Sequence, residues 1–288
     1  MEKRRGVTDL KAQIQAKYPH LTDNQRKVAD FLLEHISEAP FLSVVELEKR
    51  SGASKATVVR FAQSLGFSGF LEMRERLLRG VKSQMTITEV FPLLPQPNRQ
   101  ETLTAVAHQD VKNINETINQ IDRKVFADVA RMILGASHVY TLGLGISSLM
   151  ARILSYSMNQ VAIRSTPFVH DYESFIEQIH LLLPSDLLVV FSFPPYSKES
   201  IEVAKAVAAR GTPIIAVTDR LTSPISYHAT RVLPIVSQNM LFTNSFSAIS
   251  VIINALTTEV ALHNKVKALK NLKVSERLLE QTGHYYTG

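Results

Sequence analysis

The sequence contains no cysteine, which excludes disulfides, thiolate catalysis and cysteine-ligated metals and agrees with a reducing compartment. It has no run of 18 uncharged apolar residues, and its start, MEKRRGVTDLK, carries no apolar core of the signal-peptide type. A soluble, cytoplasmic protein without membrane association is therefore expected. Neither HExxH nor GxSxG occurs, and Asp and Glu do not cluster at metal-ligand spacing, so no metal, no cofactor and no hydrolase nucleophile is expected. Charge of one sign is in modest excess: the net charge is +6 over 288 residues, densest in the first 80. Such a bias points to a polyanionic partner only where a nucleic-acid motif accompanies it.

What the first 80 residues do contain is a series of helix start signals. Leu10, Ile14 and Tyr18 predict a short helix ended near Pro19. Thr22-Asp23-Asn24-Gln25 has the form of a capping box, with Val28, Ala29, Phe31, Leu32 and Ile36 giving an amphipathic helix to about Ser37. A second box at Ser43-Val44-Val45-Glu46 opens a short helix ending near Gly52, and Ser54 opens another that carries Val58, Phe61, Ala62 and Leu65 inward. Two short helices around Ser51-Gly52-Ala53 have the spacing of a helix-turn-helix, whose second helix enters the major groove of double-stranded DNA. Ser54, Lys55, Thr57 and Arg60 are then the candidate DNA-binding residues. Hydroxyls at a helix start suit phosphates, and Lys and Arg suit phosphates or guanine edges.

Residues Thr22 to His35, followed by SVVELEKRSGASKATVVRFAQSLGFSGFLEMRERL from Ser43, resemble the N-terminal domain of the RpiR family of bacterial transcriptional regulators. The resemblance is densest over Gly52–Phe61 and Leu65–Phe70, which it assigns to the recognition helix and the turn after it. Glu48 departs from the family pattern, which has a small residue there.

From Val81 to Arg99 periodicity fails and Pro92, Pro95 and Pro97 accumulate, so the division expected is a helix-turn-helix domain at 1–82, a Pro-rich linker at 83–100 and a second domain at 101–288. Helices resume around Leu103–Ile118 and, capped by Asp122, around Val125–Ile133; they show no chemistry of their own. Then come repeated strand-turn-helix units: Val139–Leu142, the segment VAIRST from Val161, Leu187–Phe191, Pro213–Val217 and Val232–Val236 read as strands. Short apolar runs separated by helical periods predict an α/β, doubly wound parallel sheet, whose ligand lies at the carboxyl ends of the strands. Those ends are Gly143–Ser148, Ser192–Ser197 and Thr218–Ser223. A long apolar helix over Phe242–His263, of the kind buried between subunits, and a basic tail at Lys265–Lys273 complete the chain.

Gly143-Leu144-Gly145 lacks the third glycine of a dinucleotide fingerprint, and no acidic residue closes the next strand, so nicotinamide binding is not expected. Over roughly residues 120–262 the domain resembles the sugar isomerase (SIS) domain, which in RpiR regulators binds phosphorylated sugars. That likeness implies an effector site from Gly143, Gly145, Ser147 and Ser148, with Ser192, Ser197 and Lys198 from the second loop. The family's second loop reads Ser-x-Ser-Gly-x-Thr, whereas here Pro194 and Pro195 replace the middle Ser-Gly pair and remove two N–H donors and a hydroxyl. Lys198 and Tyr196 are the nearest groups that could compensate, with Arg152, Arg164 and His170 as further candidates. The resemblance as a whole implies a DNA-binding regulator, homodimeric or homotetrameric, controlled by a phosphosugar or related sugar derivative. The alternatives are a phosphosugar isomerase-like enzyme and a DNA-binding protein whose SIS domain is purely structural.

Overall fold

Three hydroxyl caps organise the N-terminal half. In a computed structural model describing residues 5–36, 38–82, 88, 91, 101–171, 173–239 and 243–281, five helices precede the connector. They are α1 (Arg5–Lys17), α2 (Asp23–Glu34), α3 (Val44–Ser51), α4 (Lys55–Ser64) and α5 (Phe70–Lys82). Thr22 and Ser43 form full capping boxes with Gln25 and Glu46, and Ser54 accepts from the Thr57 N–H. Helix α2 stops at Glu34, earlier than the pattern suggested; Ser37 lies outside the described residues. Gly52 ends α3 at φ 69°, a left-handed conformation that costs glycine little, so the chain can turn directly into Ser54. Leu47, Val58 and Phe61 are fully buried and share one core with Leu32, Met73 and Leu77. Most of the Pro-rich connector, 83–100, lies outside the described residues.

The chain divides into two compact units at Thr102 and Leu103. The second contains α6 (Thr102–Gln120), α7 (Arg123–Gly135), β1 (Val139–Leu142), α8 (Ile146–Gln160), β2 (Ser165–Pro167), the single-turn α9 (Phe175–Gln178) and β3 (Leu187–Ser192). It continues with α10 (Lys198–Ala209), β4 (Ile214–Thr218), β5 (Arg231–Pro234), α11 (Ser247–His263) and α12 (Lys265–Gln281). All strand pairs are parallel, in the order β2-β1-β3-β4-β5. Every residue of β3 and β4 is buried, which is why these runs read as continuous rather than alternating. One face packs Val189 and Phe191 against Met150, Leu154 and Leu256; the other packs Leu188 and Val190 against Val203 and Val207.

Two boundaries of the second unit differ from expectation. Strand β2 starts only at Ser165, because Val161 caps α8 and Ala162 takes φ 64° in the turn after it. Helix α11 starts at Ser247, since residues 243–246 are not helical; Phe242 lies outside the described residues. Its apolar side, Ile249, Ile252, Ile253, Leu256 and Val260, fills the core of its own unit rather than a face between subunits. An exposed apolar stripe does run along α8, where Ile146, Leu149, Ile153 and Tyr156 recur at helical spacing.

Candidate functional site

In the first unit the candidate site is the outer face of α4. Ser54 and Thr57 pair through their hydroxyls at 2.9 Å, so both are engaged in the cap. Lys55 and Arg60 are exposed, and neither has an ion-pair partner among the described residues. Ala56 and Gln63 are exposed on the same side of the helix; the 3.6-residue period starting from Arg60 would have found them. Glu48 turns out to be a cap rather than a disturbance: its Oε1 accepts the Lys55 N–H at 3.1 Å, which places a carboxylate at the N-terminus of α4. Arg50 is withdrawn from the outer face, bonded to Glu38 and stacked 5.1 Å from the Phe31 ring. That contact holds the Glu38 carboxyl below its usual range.

In the second unit the order β2-β1-β3-β4-β5 reverses direction between β1 and β3, and ligands of open sheets lie outside the carboxyl ends at such a switch point. Leu142 pairs with Val190 and Ser192 with Thr218, so Gly143–Ser148 and Ser192–Ser197 emerge at the same edge. Gly143 is forced: a Cβ there would lie 2.4 Å from the Ser147 carbonyl carbon and oxygen. Gly145 caps α8 at φ 60°, ψ −131°, a region closed to other residues. Among the described residues no group accepts the N–H of Leu144 or Gly145, so both amides are open to an anion at the helix start.

The hydroxyls divide by role. Ser148 donates to the Gly145 carbonyl at 2.7 Å and so shapes the loop. Ser147 is buried and its hydroxyl has no partner among the described residues, which makes it the better donor of the two. Ser197 caps α10, accepting from the Ser200 N–H at 3.2 Å, and retains its own O–H to donate. Ser192 is buried at the strand end, and its hydroxyl has no partner among the described residues.

The groups expected to compensate for the two prolines are mostly committed elsewhere. Tyr196 donates to Asp219 at 2.6 Å; burial, then that bond, push its phenol well above the ordinary value, so it stays a neutral donor to Asp219. Lys198 is exposed and pairs with Glu202 one turn along at 3.6 Å. Arg164 immediately precedes β2, at the amino edge of the sheet and away from the crevice. His170, from the carboxyl end of β2, lies 2.9 Å from Glu199 in the first turn of α10. A sequence reading that treats Glu199 only as a helix start misses this pair.

A second layer fixes the loop from behind. Asn244 Nδ2 donates to the Pro194 carbonyl at 2.7 Å, while Asp110 of α6 accepts from Ser245 and Ser247 at 2.6 and 2.7 Å. Asn113, also on α6, donates to the Gln238 carbonyl at 2.7 Å. Helix α6 therefore does carry chemistry, as the anchor of the segment that holds the second loop.

Comparison with known proteins agrees with this division. Residues 8–84 match the helix-turn-helix domain of the rpiR family, and residues 132–259 match the SIS domain. The chain carries an rpiR-family helix-turn-helix domain followed by a SIS domain. A transcriptional regulator of the helix-turn-helix type from Haemophilus influenzae is 27% identical over 77% of this chain and 77% of its own length. The sugar isomerase domain of an RpiR transcription factor from Sphaerobacter thermophilus is 26% identical, with a TM-score of 0.60 over 62% of this chain and 99% of that one. The NanR protein of Vibrio vulnificus, complexed with ManNAc-6P, is 20% identical, with a TM-score of 0.57 over 95% of this chain and 98% of that one. Among the described residues, no helix is long and apolar enough to cross a membrane.

Proposed function

We propose that this protein is a transcriptional regulator that reads an operator through α4 and is controlled by a phosphorylated sugar derivative held at the β1/β3 crevice. The observation that carries the reading is the pairing of an rpiR-type helix-turn-helix with a SIS domain whose open amides and free serines meet at the switch point. The NanR complex with ManNAc-6P supports the ligand class. The test is binding of a labelled operator with and without phosphosugars. Lys55→Ala should weaken operator binding and lower the salt slope by about one unit, as loss of one phosphate contact does. Arg60→Ala should weaken binding by about tenfold, the cost of a base or phosphate contact. Unchanged affinity in both variants would reject α4 as the reading helix.

Glu48 offers a prediction of opposite sign. Its carboxylate sits where a DNA phosphate approaches the start of α4, and like charges repel across that distance. Glu48→Gln keeps an acceptor for the Lys55 N–H and removes the charge. Operator affinity should rise about threefold at low salt, and the gain should shrink as salt screens it. Fluorescence anisotropy titrations at two salt concentrations measure both.

A single helix-turn-helix reads few base pairs, so the working form is a homodimer or a tetramer built from dimers, with the exposed stripe on α8 as the proposed contact. A monomer mass independent of concentration, with operator binding retained, would count against it. One observation favours a second reading as a phosphosugar isomerase: His170 and Glu199 place an acid–base pair beside the crevice. The named regulators among the relatives argue against it. Aldose–ketose interconversion by the purified protein, lost in Glu199→Gln, would establish that reading instead.

A further inference from the structure

Helix α6 is held to its unit by a polar row. Among the described residues its buried positions are Asn113 and Thr117, whereas Leu103, Val106 and Val111 are exposed and Ile114 is half-buried against the main core. The bonds run one per helical turn, in reverse order along the chain that leaves β5. Gln120 donates to the Pro234 carbonyl at 3.1 Å, Thr117 Oγ1 accepts the Val236 N–H at 2.9 Å, and Asn113 donates to the Gln238 carbonyl at 2.7 Å. Asp110 completes the row by accepting from Ser245 and Ser247. The partners of this row also brace the crevice. The Ser245 N–H donates to the Ser237 carbonyl at 2.9 Å, Ser237 Oγ donates to Asn244 Oδ1 at 3.2 Å, and Asn244 Nδ2 donates to the Pro194 carbonyl at 2.7 Å. One hydrogen-bonded network therefore runs from the second loop to α6.

We propose that α6 is a regulatory strap of the SIS unit, docked more tightly when the crevice is occupied, with Asn244 and Asp110 as the positioning residues between them. This rests on the reading of the crevice as an effector site. A helix with few buried apolar groups opens at low free-energy cost, and a polar network weakens as a whole when one member shifts. The docking of α6 therefore depends on where the second loop stands. A ligand that fixes the loop fixes Asn244 through the Pro194 carbonyl, and Asn244 shares its segment with both serines that grip Asp110. Linkage makes the effect reciprocal: a docked α6 raises affinity for the ligand by the same factor by which the ligand favours docking. The position of α6 in the chain gives this a use. It begins at Thr102, directly after the connector 83–100, so its docking fixes the point from which the connector leaves the SIS unit.

The experiment is calorimetric titration of the full chain with ManNAc-6-phosphate and with inorganic phosphate, joined to amide hydrogen exchange with and without saturating probe. In the unaltered protein the bound probe should slow exchange in α6 about fivefold and leave α7 unchanged. Asn244→Ala should weaken both probes about fivefold, the scale of one neutral hydrogen bond, and at saturation the slowing of α6 should be lost. Asp110→Ala should weaken the probes likewise, with affinity largely restored in Asp110→Asn, which keeps an acceptor for a serine. Asp128→Ala is the control: Asp128 ties α7 to Arg231 of β5 at 3.2 Å, outside this network, and its loss should leave both affinities unchanged. Probe binding without slower exchange in α6, or slowing that survives in Asn244→Ala, overturns the strap and leaves the crevice standing. An equal loss of affinity in Asp128→Ala overturns it too, as a general effect of loosening a helix. Failure of the unaltered protein to bind either probe overturns the crevice reading and this inference with it.

Discussion

Gly143→Ala should unfold or severely destabilise the SIS unit, by roughly 3 kcal/mol or more, and abolish phosphosugar binding together with it. The added Cβ would stand 2.4 Å from the Ser147 carbonyl carbon and oxygen and 2.8 Å from the Ser147 Cβ, separations no relaxed contact allows. Backbone is the obstacle, so no side chain can rotate away. To relieve the clash, α8 must slide outward from β1, and α8 carries Met150, Leu154 and Met158 into the larger core. It also carries the Thr141 bond, whose hydroxyl donates to the Ala151 carbonyl at 2.8 Å across the same interface. Thermal or urea unfolding followed by a probe in the second unit should show the loss. Gly135→Ala is the matched comparison, because a Cβ there meets nothing within 4 Å. Equal melting of the two variants would show that Gly143 is not a point of close approach.

What could be read from the sequence was local. The three caps at Thr22, Ser43 and Ser54 were legible because a cap bonds residues three apart, and composition over four positions specifies it. The strand-end loops were legible for a related reason: in a parallel sheet every apolar run ends at the same edge, so a linear list of run ends is also a spatial list. The groups that decide which hydroxyls are free were not. Asn244 reaches Pro194 across 50 residues, and Asp110 reaches Ser245 across 135. No period or motif announces such pairings, so Tyr196 seemed available to a ligand when Asp219 already holds it. Lys198 is different: Glu202 lies four residues on, the ordinary helical pairing distance, and the sequence does contain that signal. Glu48 shows the converse, a departure from a family pattern that becomes a cap once α3 and α4 are placed.

Phe61→Ala should abolish operator binding by unfolding the first unit, whereas Arg60→Ala, one residue earlier, should weaken binding and leave stability unchanged. Phe61 is among the largest fully buried side chains, and its truncation removes a ring from a core that also holds Leu32, Leu47, Val58 and Met73. Such deletions cost about 3 to 5 kcal/mol, a large share of the 5 to 15 kcal/mol that holds a typical domain. The core, with the Glu48–Lys55 bond, sets α3 against α4, and hence the angle at which Lys55, Ala56, Arg60 and Gln63 are presented. Arg60 is exposed, makes no ion pair among the described residues and contributes nothing to that core. Urea unfolding should therefore show a lowered or absent first transition in Phe61→Ala and a parental one in Arg60→Ala. Phosphosugar binding should survive in both, because the crevice is built entirely from residues after Leu103. A Phe61→Ala protein that keeps parental stability and operator affinity would mean that the packing of α4 against α2 and α3 does not position the reading face, and the assignment of that face would fall with it.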